Sequence, residues 1–109
     1  SYGKKNITFT QNVKQAIHNS NCIITDTWFS MGSKKSIISE QYFKKYQVNE
    51  KNIIGANSKV AFMHCLPAKR GKEVTKEVID NKKISIVWDE AENRLHIQKA
   101  ILEWCLKKI

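Results

Sequence analysis

Short apolar runs alternate with stretches of helical periodicity along this chain, and that alternation most limits what it can fold into. Cys22-Ile23-Ile24-Thr25, the run from Lys59 to Met63 and Ile84-Ser85-Ile86-Val87-Trp88 have the length and apolar or β-branched character of strands, and Asn6 to Thr10 predicts another at the start. Helical spacing predicts helices from Asn12 to Asn19 (Val13, Ala16 and Ile17 on one face), from Ser36 to Tyr46 (Ile37, Ile38, Tyr42 and Phe43 inward), and over Asn49 to Ala56. A further helix is predicted from Glu73 to Asp80, with Val74, Val78 and Ile79 as its apolar face. Asp89 with Glu92 three residues on has capping-box spacing and opens a final helix from Glu90 to Lys107.

Strands separated by helices imply an open parallel α/β sheet, because parallel neighbours need a crossover and helices supply it. Ligands of such sheets bind beyond the carboxyl ends of the strands. Three polar clusters, Asp26 to Met31, His64 to Pro67 and Asp89 to Arg94, each follow a predicted strand, so they are expected to converge on one crevice.

Composition narrows the class. A chain of 109 residues makes at most one domain and buries about two thirds of its unfolded surface. One proline and four glycines leave no room for a long linker. No apolar stretch approaches the roughly 18 residues of a membrane span, and Ser1-Tyr2-Gly3-Lys4-Lys5 has no apolar region behind it, so the chain reads as soluble and cytoplasmic. Three widely spaced cysteines argue for free thiols in a reducing compartment, with Cys22 and Cys105 expected in the core. His18, His64 and His96 show no metal-ligand spacing. Trp88 and Trp104 read as packing residues, and Trp28 borders the expected crevice. The net charge of +9 raises the question of nucleic acid, but the basic residues are scattered as pairs, which favours a solvated surface. A basic nucleic-acid-binding module is the alternative class, and no named motif accompanies it.

The chemistry sits in the clusters. Met63-His64-Cys65-Leu66-Pro67 places an imidazole, a thiol and the only proline just past an apolar run, where a strand ends to present titratable groups. Asp26 offers a carboxylate, Ser30 a hydroxyl and the Met31-Gly32 backbone a donor, a set suited to an ammonium. Arg94 can set a fixed positive charge and planar donors against a developing oxyanion. Taken singly each has a plainer reading: Asp26 as a turn former, Cys65 as a filler, Arg94 as a surface residue.

Taken together, Asp26-Thr27-Trp28-Phe29-Ser30-Met31-Gly32, His64-Cys65-Leu66-Pro67-Ala68-Lys69-Arg70-Gly71 and Asp89-Glu90-Ala91-Glu92-Asn93-Arg94-Leu95 closely resemble, in order, three signatures of the ornithine carbamoyltransferases. Glu73-Val74-Thr75 and Glu77-Val78-Ile79-Asp80 resemble the same family. The resemblance implies a Rossmann-like ornithine-binding domain and transfer of the carbamoyl group of carbamoyl phosphate to ornithine, giving citrulline and phosphate in arginine metabolism with no cofactor. It assigns Asp26, Ser30 and Met31 to ornithine, Cys65, Leu66 and Arg94 to the carbamoyl group, and the catalytic roles to Cys65 and Arg94, with His64 a possible participant. A transferase acting on a modified ornithine or a related amine is the alternative within the family, against which Ser30-Met31-Gly32 favours plain ornithine. The family also implies a cis Leu66-Pro67 peptide and a homotrimer for the full enzyme. Its Ser-x-Arg-Thr carbamoyl phosphate loop and the first strand and helix of its ornithine domain have no counterpart in this sequence. The chain is therefore expected to be the C-terminal part of the ornithine-binding domain, without the carbamoyl-phosphate-binding domain, and inactive alone.

Overall fold

The computed structural model describes residues 6–29 and 37–107, with side chains in the second stretch from Glu40 onward. Two parallel strands form its centre: β1 (Cys22–Thr25) and β2 (Ala61–His64), in the register Cys22 to Ala61 through Thr25 to His64. Among the described residues five helices accompany them: α1 (Val13–Ile17), α2 (Ile37–Lys44), α3 (Glu50–Ile53), α4 (Lys76–Ile79) and α5 (Val87–Leu106). This is the parallel α/β arrangement that the sequence pattern implies.

Side chains alternate across a strand, and the register assigns the two faces. Phe62 and His64 are buried on one face, where Ile23 and Thr25 lie beside them half-buried, while Cys22 and Ile24 on the other face are exposed. Phe62 packs with Val48, Val74, Val78, Ile79 and Val87, so α4, the first residue of α5 and the segments beside them cover one side of the sheet. A parallel-bridge pairing ties this core together: Val48 N–H donates to the Glu73 carbonyl at 2.8 Å and Thr75 N–H to the Val48 carbonyl at 3.0 Å.

Two of the short helices start where side chains cap them. Asn12 accepts from Gln15 N–H at 3.2 Å to open α1, and Asn49 accepts from Asn52 N–H at 3.0 Å to open α3. Both helices fall within the predicted ones, although Ala16 of α1 is exposed and only Ile17 is buried.

Several expectations are corrected. Residues 6–10 pair with no strand among the described residues, and Ile7 and Phe9 are exposed, Phe9 at 94%. The predicted fourth strand shrinks to one bridge, Ser85 beside Phe62, made by Phe62 N–H to the Ile84 carbonyl and Ile86 N–H to the Phe62 carbonyl. Val87 and Trp88 already belong to α5, because a short apolar run reads equally as a strand or as a buried helical turn, and the helix formers that follow decide for helix.

The capping box at Asp89 does not form. α5 begins earlier, with Ile86 at the cap position and no side-chain cap bond, while Asp89 and Glu90 sit in the first turn, where the helix dipole favours negative charge. Cys22 and Cys105 are exposed rather than buried, Trp88 and Trp104 are exposed at 66% and 60%, and Tyr42 and Phe43 of α2 lie outside the core. α5 meets the sheet mainly through its first turns, so most of its length projects beyond the core.

Candidate functional site

Because β1 and β2 are parallel and in register, the residues after them lie side by side: Asp26 follows Thr25, and Cys65 follows His64. The Cys65 thiol donates to Asp26 Oδ1 at 3.1 Å, and the same oxygen accepts from Thr27 N–H at 2.6 Å. Accepting these two bonds holds the Asp26 carboxyl below the ordinary aspartate range, the thiol bond having the larger effect. The same bond pushes the Cys65 thiol above its ordinary value, with burial and the Asp26 charge acting in the same direction. The pair is therefore a carboxylate and a protonated thiol over the physiological range, an acceptor surface for a cation rather than a primed nucleophile.

Beyond Cys65 the chain turns sharply. Leu66 has φ +52°, a conformation that L side chains rarely adopt, and the Leu66-Pro67 peptide is cis, as the family resemblance implies. Leu66 N–H donates to His64 Nδ1 at 2.9 Å. The His64 imidazole is fully buried, so the expectation that the strand end presents this group is corrected: His64 braces the turn from beneath, and Cys65 is the residue presented.

Arg94 of α5 lies across from this turn. With Cys65, Leu66, Arg70, Trp88 and Gln98 it lines an open cleft of about 690 Å³. Arg70 is engaged on one side by Asp80 through bonds of 3.1 and 2.6 Å, which hold the Asp80 carboxyl low and raise the guanidinium further. Arg94 pairs with no carboxylate among the described residues, which leaves its donors free for a ligand.

The segment after Asp26 is anchored by rings. Trp28 stacks on Phe43 at 6.0 Å and Phe29 meets Phe43 edge-on at 5.7 Å, which ties the end of β1 to α2. The expected ligands Ser30 and Met31 lie outside the described residues. The structure thus brings together Asp26, Cys65, Leu66 and Arg94 from three distant parts of the chain, and it withdraws His64 from the surface.

Two residues of the site escaped the sequence reading. Glu90 Oε2 accepts from His64 N–H at 3.0 Å, and Glu73, fully buried, accepts from Lys69 N–H while its Oε1 lies 3.3 Å from His64 Nε2. Both read from sequence as ordinary helix-start acids, and the only signal was their place inside the signature stretches.

The fold and the site define an α/β ligand-binding domain that presents a carboxylate–thiol pair at adjacent strand ends, with the thiol of that pair and an arginine lining one cleft. A family model described as the Asp/Orn binding domain of aspartate/ornithine carbamoyltransferase matches residues 1–105, and the chain belongs to that family. The ornithine carbamoyltransferase of Mesorhizobium japonicum is 51% identical over 98 residues, covering 90% of this chain and 32% of that protein. Among solved structures, the ornithine carbamoyltransferase from Pyrococcus furiosus matches with a TM-score of 0.72 at 46% identity, covering 83% of this chain and 29% of that one. The anabolic ornithine carbamoyltransferase from Campylobacter jejuni matches at 0.77 and 36%, covering 85% and 30%. The chain thus spans about a third of the length of the curated relatives it matches.

Proposed function

We propose that this chain supplies the ornithine-side half of an ornithine carbamoyltransferase active site, as the C-terminal part of the ornithine-binding domain, with the principal carbamoyl phosphate site contributed from outside these residues. The observation that carries the reading is the 3.1 Å contact between the Cys65 thiol and the Asp26 carboxylate at adjacent strand ends, with Cys65 lining the same cleft as Arg94. Asp26 binds the α-ammonium of ornithine through charge-assisted hydrogen bonds, with Cys65 fixing the carboxylate and Ser30 and the Met31 backbone completing the grip.

The side-chain amine of ornithine, unprotonated when it reacts, attacks the carbonyl carbon of carbamoyl phosphate. The carbonyl electron pair moves to oxygen, the tetrahedral species collapses with loss of phosphate, and the amine proton leaves with the products, giving citrulline. Arg94 stabilises the developing oxyanion and the Leu66 carbonyl accepts from the carbamoyl amide. Cys65 and Arg94 are the groups that touch the reacting substrates, and most of the acceleration comes from their placement, since orientation alone lowers such barriers by about 7–11 kcal/mol. In this reading the full enzyme works in arginine metabolism, in the cytoplasm, as a homotrimer.

The test is a graft. In place of the matching third of the Mesorhizobium relative, this chain restores citrulline formation at about 1 per second or faster, and Arg94→Ala in the graft lowers turnover at least 100-fold with little change in the ornithine Michaelis constant, since a single oxyanion donor is worth about 10²–10³. A folded graft that releases no citrulline overturns the proposal. So does a graft in which Arg94→Ala leaves turnover unchanged.

A further inference from the structure

His64 and Glu73 are both fully buried beneath the turn that carries Cys65 and Leu66. Burial of a carboxyl and an imidazole costs free energy unless their hydrogen-bonding groups are used. Here His64 Nδ1 and Glu73 Oε1 are spent on the turn itself, while His64 Nε2 and Glu73 Oε2 are buried without a hydrogen bond. Glu73 takes the N–H of Lys69 at its far end, His64 Nδ1 takes the N–H of Leu66 in its middle, and the two side chains face each other at 3.3 Å. Between those two anchors lie the positive φ of Leu66 and the atoms that reach the cleft. A residue held in the left-handed region persists only where its surroundings over-determine it.

We propose that Glu73, acting through Lys69 N–H and the His64 imidazole, is a positioning residue that fixes the 64–69 turn and thereby sets the Cys65 thiol against Asp26 and the Leu66 carbonyl toward the cleft. The hydrogen bonding specifies one form of the imidazole. Nδ1 accepts from Leu66 N–H and so carries no proton, which puts the ring hydrogen on Nε2, facing the Glu73 carboxylate. The Glu73 carboxylate, 3.3 Å from Nε2 without a formed hydrogen bond, favours this tautomer electrostatically, and the tautomer favours the turn. A protonated Nδ1 would set donor against donor at Leu66.

What the turn binds rests on the carbamoyltransferase reading; that Glu73 positions it does not, and the test needs no turnover. In the 109-residue chain, alkylation by iodoacetamide is followed at each cysteine, with the exposed Cys22 and Cys105 as internal references for general loosening. Glu73→Ala releases the turn, breaks the thiol–carboxylate bond and speeds alkylation of Cys65 relative to both references by roughly tenfold, the change in thiolate fraction that one pKa unit represents. Glu73→Gln keeps an acceptor oxygen for Lys69 and restores slow alkylation to within about twofold of the parent.

Nitrogen NMR of His64 supplies the second readout: a bare Nδ1 and a protonated Nε2 in the parent and in Glu73→Gln, and a tautomer mixture in Glu73→Ala. Should Glu73→Ala fail to fold, Glu73→Asp decides alone, because its carboxylate is one methylene too short to reach both partners and predicts the same rise at Cys65. Unchanged Cys65 alkylation with an unchanged His64 tautomer in the folded variant overturns the proposal. A rise shared equally by all three cysteines overturns it too, since that reports general loosening. Failure here leaves the graft result standing, and failure of the graft leaves this one.

Discussion

The Glu90 carboxylate accepts the backbone N–H of His64 at 3.0 Å, so the first turn of α5 is fastened to the last residue of β2. One turn further along α5 stands Arg94, and one residue past His64 stands Cys65. Together with the Ile86 N–H to Phe62 carbonyl bond, the Glu90 bond sets the spacing between the two sides of the cleft. It also satisfies a strand-end donor that the sheet leaves unpaired.

Glu90→Ala is expected to cost about 1–3 kcal/mol of stability, the penalty of leaving a partly buried donor unsatisfied. In the grafted enzyme it also slackens Arg94 against Leu66 and lowers turnover. Urea unfolding followed by circular dichroism checks the first effect. An unchanged midpoint would show that water replaces the carboxylate without loss.

The Asp26–Cys65 bond makes a titration prediction with a definite sign. The folded Asp26 carboxyl titrates below the ordinary aspartate value, so its contribution to stability is present above about pH 3.9 and is lost as pH falls through the lower folded value. In Cys65→Ala the first cause of that depression is gone. Carboxyl carbon NMR should show the Asp26 midpoint move upward while Asp80, held low by Arg70, stays where it is. An Asp26 midpoint indifferent to Cys65 would mean that the thiol bond does not form in solution.

Phe62 is the largest apolar side chain fully enclosed in the core. Phe62→Ala should cost about 3–5 kcal/mol, a loss comparable to the whole stability of a small domain. A cooperative thermal transition should disappear. Retention of the parent midpoint would show that the core lies elsewhere.

α5 carries Leu95, Ile97, Ile101 and Leu102 exposed to solvent. Apolar surface of that extent drives association, so light scattering on the isolated chain should show a mass that rises with concentration. The pair Ile101→Lys and Leu102→Glu should restore a monomer without altering the melting temperature. A clean monomer at high concentration for the parent chain contradicts this.

Much of this architecture is readable from residue order. The apolar runs at Cys22–Thr25 and Ala61–Met63 become the two strands, and the meeting of Asp26 with Cys65 follows from their parallel pairing, while Arg94 reaches the cleft from α5. What escaped reading is tertiary in origin. Ile86, Val87 and Trp88 look like a strand until the sheet supplies only one bridge at Ser85, and nothing local distinguishes the two outcomes. Cys22, Cys105 and Trp104 look like core residues because their neighbours are apolar, yet burial depends on what packs against them. Glu73 and Glu90 meet His64 across 9 and 26 residues of sequence, a relation that no helical or strand period encodes.

The central claim is that Asp26 and Cys65 recognise the α-ammonium of ornithine, and a paired titration tests it most directly. Amide NMR of the chain is followed as ornithine is added, and separately as 5-aminopentanoate is added, the same molecule without its α-amino group. The account predicts saturable shifts with ornithine at Thr27 and Leu66, whose N–H groups report on Asp26 and on the turn. Those shifts should be lost with 5-aminopentanoate and lost again with ornithine in Asp26→Asn. Equal shifts from both ligands, or ornithine shifts that survive Asp26→Asn, would contradict it.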